Sequence, residues 1–163
     1  CVIKNAFQFG VAYGSTGAGA QFGEVVNHKV DNIPYFSGIL AYDDYYAKIE
    51  GNTVNNAWRG IQTNNHYQAA PAGTTPSISN NTITTHTQAI AGDYTYTDVR
   101  GILNNLQYAN ATAWTIAGNS VPVSEMSGAP DRSHAVRDIT GNITTANALS
   151  PAGTDLTTDS SQL

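Results

Sequence analysis

The sequence predicts an α+β domain that is β-rich, with a mainly antiparallel, sandwich-like sheet and one or two short helices. Three observations point there: alternating side-chain bulk over the first thirteen residues, three Gly-Asn pairs flanked by β-formers, and one stretch of helical periodicity at 98–110. The 163 residues suit one domain, expected over 1–139, followed by a Thr- and Ser-rich C-terminal arm or tail over 140–163.

The first element is the best defined. Ile3, Phe7, Phe9, Val11 and Tyr13 fall on one parity, broken only by Asn5, while Lys4, Ala6, Gln8, Gly10 and Ala12 fall on the other. Strand side chains alternate faces with a period of two, so this pattern describes an extended segment with one bulky face. Such a face must be covered, either by the rest of the same chain or by a neighbouring one. Residues 14–23, Gly-Ser-Thr-Gly-Ala-Gly-Ala-Gln-Phe-Gly, then read as a connector leading to an apolar stretch at Val25, Val26 and Val30.

The Gly-Asn pairs lie in Ile49-Glu50-Gly51-Asn52-Thr53-Val54, Ile116-Ala117-Gly118-Asn119-Ser120-Val121 and Ile139-Thr140-Gly141-Asn142-Ile143-Thr144. Gly-Asn supplies the positive φ that two-residue hairpin turns need, so each is a candidate hairpin tip. Their separations of 67 and 23 residues, Gly51 to Gly118 to Gly141, are unequal and argue against a solenoid repeat. Around the first of them, 42–68 is open between helix–turn–helix and hairpin, because Tyr42, Tyr45, Tyr46 and Ile49 also fit a helix face.

Residues 71–97 carry Pro71, Pro76 and eight threonines, and read as a surface excursion with short edge strands. Val99, Ile102, Leu103 and Leu106 then follow the i, i+3, i+4, i+7 rule behind a Thr97 or Asp98 cap, which predicts a helix over 98–110. A second, shorter helix is expected over 131–139 after Pro130, with Ala135, Val136 and Ile139 on one side.

Composition narrows the function classes. Charged residues make up only 12% of the chain and the net charge is −5, with no run of Lys or Arg, so the counterion-release term behind nucleic-acid affinity is missing. Surface polarity rests on amides and hydroxyls, which do not repel a copy of the same surface. No apolar run approaches the length of a membrane span. Cys1, the only cysteine, forms no internal disulfide; it reads as a chain boundary, a candidate lipid anchor of a surface lipoprotein, or an N-terminal nucleophile, for which the flanking strand offers no oxyanion partner.

Catalytic and cofactor signatures are absent from the sequence. Gly17-x-Gly19 is followed by Gly23 without the helix that a dinucleotide site needs, and there is no nucleophile elbow, zinc-protease motif or calcium loop. Asp131, His134 and Asp138 would share a helix face as metal ligands, but nearby Arg132 and Arg137 oppose a cation, and the set reads as a solvated face. His28, His66 and His86 stand in polar contexts. Asp43, Asp44, Glu50 and Glu125 are not paired by any spacing suited to glycoside hydrolysis. No cofactor and no metal are expected, and the chain reads as a non-enzyme. The sequons at Asn80, Asn110 and Asn142 are expected by chance in a chain this rich in Asn and Thr.

Two functional expectations follow. The first is a secreted or cell-surface structural subunit that self-assembles into a filament, pilus or shell, its partners being copies of itself and its assembly strand carrying Ile3, Phe7, Phe9, Val11 and Tyr13 into a neighbour's sheet. That alternation resembles donor-strand assembly in pilins as a mechanism, without implying membership of that family. The alternative is a surface-anchored carbohydrate-binding or adhesion protein. It would use Asp43, Asp44, Tyr45, Tyr46, Trp58 and Arg59, since aromatic rings beside carboxylates and amides suit glycans and interfaces alike. Neither expectation includes nucleic acid, and membrane contact enters only through a lipid on Cys1.

Overall fold

The structure, a computed structural model, describes residues 1–14, 23–42, 47–65, 76–85, 100–106, 115–122, 134–138 and 148–150. Every regular element among the described residues is a β-strand, and every pairing between strands is parallel. The antiparallel, helix-containing sandwich expected from the sequence is therefore replaced by a three-sided parallel β-solenoid.

The first side stacks β1 (Val2–Lys4), the first half of β4 (Lys29–Tyr42), the first half of β6 (Thr53–Asn65), β8 (Thr82–Thr85), β11 (Ser120–Pro122) and β13 (Ala148–Ser150). The second side stacks β2 (Phe9–Gly14), the later halves of β4 and β6, β9 (Arg100–Leu106) and β12 (His134–Asp138). On the third side are β3 (Glu24–Val26), β5 (Lys48–Glu50), β7 (Ser77–Ser79) and β10 (Thr115–Ala117). Register partners on the first side run Val2, Lys29, Thr53, Thr82, Ser120, Ala148, so successive coils advance by 27, 24, 29, 38 and 28 residues.

Each side sends one column of aliphatic side chains inward. Val30, Val54, Ile83 and Val121 are fully buried on the first side, Ile39, Ile61 and Ile102 on the second, and Ile49, Ile78 and Ile116 on the third, with Val25 above them. Burial of each contributes roughly 1.5–3 kcal/mol. β-Branched residues dominate because their stiff χ1 suits a pleated surface stacked at strand spacing. The second side is buried on its other face as well, since Leu40, Gln62 and Leu103 are 1%, 4% and 3% exposed and the two leucines stand apart from the main core cluster.

That double burial explains the helix prediction over 98–110. Ile102 and Leu103 are both buried on opposite faces of strand β9, and such strands read as continuous apolar runs that imitate helix spacing. Residues 98, 99 and 107–110 lie outside the described set. The helix expected over 131–139 is replaced at its centre by strand β12, whose register with β9 is parallel.

The Gly-Asn pairs are not hairpin tips. Gly51-Asn52 joins β5 to β6 and Gly118-Asn119 joins β10 to β11, each carrying the chain from the third side to the first. Segment 42–68 is accordingly neither a helix pair nor a hairpin where it is described. The third pair, Gly141-Asn142, lies outside the described residues. Asn27-His28 and Asn80-Asn81 make the same turn in the other coils, with φ of 57° and 56° at Asn27 and Asn80 beside 65° and 67° at Gly51 and Gly118. The solenoid repeat is therefore present, because the 67 residues from Gly51 to Gly118 are two coils with Asn80 between them. Strands β7 and β8 are short but not edge strands, each being paired on both sides. Within 140–163, Ala148–Ser150 pairs with β11.

Candidate functional site

The turn from the third side to the first is built around a buried amide ladder. Asn52 donates from its backbone N–H and its Nδ2 to Asn81 Oδ1, both at 2.9 Å, and Asn81 does the same to Asn119 Oδ1 at 3.0 and 2.9 Å. Each side-chain amide also reaches a carbonyl of the preceding coil: Asn52 to Val25, Asn81 to Ile49, and Asn119 to Ile78. His28 takes the ladder position in the first coil, donating its N–H to Asn52 Oδ1 at 2.9 Å. A second, exposed ladder runs through Asn5, Asn32 and Asn56, all at positive φ, at the corner between the first and second sides.

The ladder ends in an open coil. Strands β1 and β2 pair with β4, and β3 with β5; no strand among the described residues lies against their outer edges. A cavity of about 250 Å³ opens there, lined by Ile3, Val11, Tyr13 and Val25 and also by Cys1, Gly23, Glu24 and His28. These residues come from all three sides, so the cavity lies at the end of the solenoid core that no strand among the described residues covers. In the same coil Val2 and Phe7 are 61% and 60% exposed.

The assembly-strand residues are all placed by this coil. The expected single strand is two strands, broken at Asn5–Gln8, where Asn5 adopts a φ of 57°. Ile3 is in register with Val30 and Val11 with Ile39, so the bulky face docks on its own chain, and Val11 and Tyr13 pack partly buried against the core. Phe9 turns elsewhere and meets Phe36 edge to face, with centroids 4.9 Å apart. Cys1 is exposed, and its nitrogen lies 3.4 Å from His28 Nδ1.

Of the aromatic and acidic cluster, only Trp58 and Arg59 belong to the described residues. Asp43, Asp44, Tyr45 and Tyr46 lie outside the described residues, and Trp58 is 2% exposed within the core. Arg59 is partly buried on the second side, its Cζ 5.1 Å from the centre of the Phe36 ring and its Nη1 donating to Gln62 Oε1 at 3.0 Å. Ser37 Oγ donates to the same oxygen at 2.8 Å. Asp131 of the candidate metal set also lies outside the described residues.

Sequence reasoning missed the amide ladders and the open coil. The detectable signal was the repeated pattern of β-branched residue, any residue, Asn or Gly, then Asn or His, seen as Val25-Val26-Asn27-His28, Ile49-Glu50-Gly51-Asn52, Ile78-Ser79-Asn80-Asn81 and Ile116-Ala117-Gly118-Asn119. Comparison of the chain with family models, with curated proteins and with solved structures finds no match.

Proposed function

We propose that this chain is a non-catalytic structural subunit of the cell exterior, built to stack coil on coil with copies of itself. The observation that carries the reading is the coil of β1, β2 and β3, whose outer strand edges meet no strand among the described residues and which holds a mainly apolar cavity and the exposed Val2 and Phe7. A parallel strand edge is a template for another strand of the same direction, and repeat folds need a polar cap where stacking stops. Heterologous stacking of one coil end on the opposite end of the next copy leads to an open filament. The low share of charged residues, 12% of the chain, favours such contact.

This reading changes the mechanism expected from the alternating strand. The strand stays at home, and the surface offered to a neighbour is the outer edge of the coil it forms. Sedimentation velocity over a wide concentration range tests the proposal, together with a Val2→Lys/Phe7→Lys variant. Concentration-dependent assembly that the variant loses, with unchanged circular dichroism, is the expected result. A wild-type chain that stays monomeric throughout, or a variant that assembles equally well, overturns it.

A further inference from the structure

The two amide ladders run in opposite directions along the solenoid. The buried ladder donates toward later coils, His28 to Asn52, Asn52 to Asn81 and Asn81 to Asn119. The exposed one donates toward earlier coils, Asn56 Nδ2 to Asn32 Oδ1 at 3.1 Å and Asn32 Nδ2 to Asn5 Oδ1 at 2.8 Å. Asn5 Nδ2 ends this ladder beside the outer edge of β1, with no acceptor among the described residues. The first side ends on β1 in one direction and on β13 in the other. Val2, Lys29, Thr53, Thr82, Ser120 and Ala148 share one register, so Ser150 holds in the last strand the position that Lys4 holds in the first.

We propose that β13 of one copy pairs in parallel with β1 of the next, Ala148 on Val2, Leu149 on Ile3 and Ser150 on Lys4, and that Asn5 Nδ2 donates across this junction to a main-chain carbonyl at the end of β13. The pairing rests on the coil-end assembly proposed above, and gives it a seam. Strands pair in parallel throughout the described residues, so a second copy stacked in the same orientation continues the first side with strands of one direction. The same register sets an aliphatic residue on Ile3, which lines the cavity at the open coil. A strand edge also presents the unpaired carbonyls that the Asn5 amide needs. Head-to-head contact fits less well. It would run the strands of the two copies against each other and bring one Asn5 amide against another, donor facing donor. No like charge meets Lys4 in the head-to-tail register, since position 150 is a serine.

Single-cysteine chains in a Cys1→Ser background, Lys4→Cys and Ser150→Cys, provide the test, oxidised separately and as a mixture at a concentration where the wild type assembles. Parallel neighbours lie about 4.8 Å apart, within the Cα span of a disulfide. The mixture is expected to form cross-linked pairs and neither chain alone to do so. If either chain misfolds by circular dichroism, Val2→Cys mixed with Ala148→Cys tests the same register. Asn5→Asp keeps the acceptor for Asn32 and loses the donor, and should weaken assembly by about twofold to tenfold. Asn5→Gly, which accepts the φ of 57° and adds no charge, should weaken it similarly. A Lys4→Cys chain that cross-links to itself as readily as the mixture, a mixture that assembles without cross-linking, or unchanged assembly in both Asn5 variants would each overturn this junction and leave self-assembly standing. A wild-type chain that never assembles overturns the reading beneath it.

Discussion

Asn81 Oδ1 accepts both the backbone N–H and the side-chain amide of Asn52, each at 2.9 Å, inside a protein interior where both residues are 1% exposed. One side chain thus satisfies two donors of the coil before it, while its own amide satisfies the Ile49 carbonyl at 3.0 Å. Asn81→Ala would leave the Asn52 N–H without this acceptor and the Ile49 carbonyl without this donor, while Asn52 Nδ2 keeps only its bond to Val25. Because each buried unsatisfied group costs about 1–3 kcal/mol, and relaxation recovers part of it, the expected loss is about 3 kcal/mol. Urea unfolding checks this, and a loss under 1 kcal/mol would mean the ladder contributes little.

A second prediction concerns the alternation of Asn27, Gly51, Asn80 and Gly118 at the positive-φ position. A Cβ at Gly51 would collide with the Asn27 amide oxygen, and one at Gly118 with that of Asn80, so each Asn requires a glycine in the next coil. Gly51→Ala combines that collision with left-handed backbone strain of about 1–2 kcal/mol. The substitution should therefore cost more in wild type than in an Asn27→Gly background. A thermal-denaturation double-mutant cycle reads the difference, and strict additivity would show that the two residues are not coupled.

How much of this was legible in the sequence depends on which forces act locally. The β-character of 1–13 was readable, because alternation is a property of the strand itself; the break at Asn5 was hinted at by the one interruption in parity. Gly51 and Gly118 were correctly placed in turns with positive φ. What the turns connect was not readable, since the same backbone chemistry serves a hairpin and a solenoid corner. Asn80-Asn81 hid the coil between them by substituting an Asn for the Gly. Coils of 24 to 38 residues, measured from Lys29 to Thr53 and from Thr82 to Ser120, blurred the period further. The pairing of β6 with β9 and of β9 with β12 was beyond local reading altogether, because it joins Arg59 to Arg100 and Arg100 to His134 across long intervals of sequence.

The stacked core predicts a gradient along the solenoid. Ile61 is fully buried between Ile39 and Ile102, whereas Val11 caps the same column and is only partly buried. Ile61→Ala is expected to cost about 3 kcal/mol and Val11→Ala about 1 kcal/mol. Chemical denaturation of both variants measures the difference. Equal costs would imply that the open end of the first coil is covered as completely as the centre.

Trp58 separates a core role from a sugar-stacking one. Its 2% exposure places the indole among the buried residues of the solenoid, so neither ring face is presented to a ligand. In a Trp114→Phe background, emission from Trp58 should be blue-shifted and poorly quenched by acrylamide, and saturating oligosaccharide should leave it unchanged. Trp58→Ala should cost about 3–5 kcal/mol, as expected for removing a large buried aromatic. Strong quenching, or a spectral shift on adding sugar, would place the ring at the surface and return it to the list of glycan contacts.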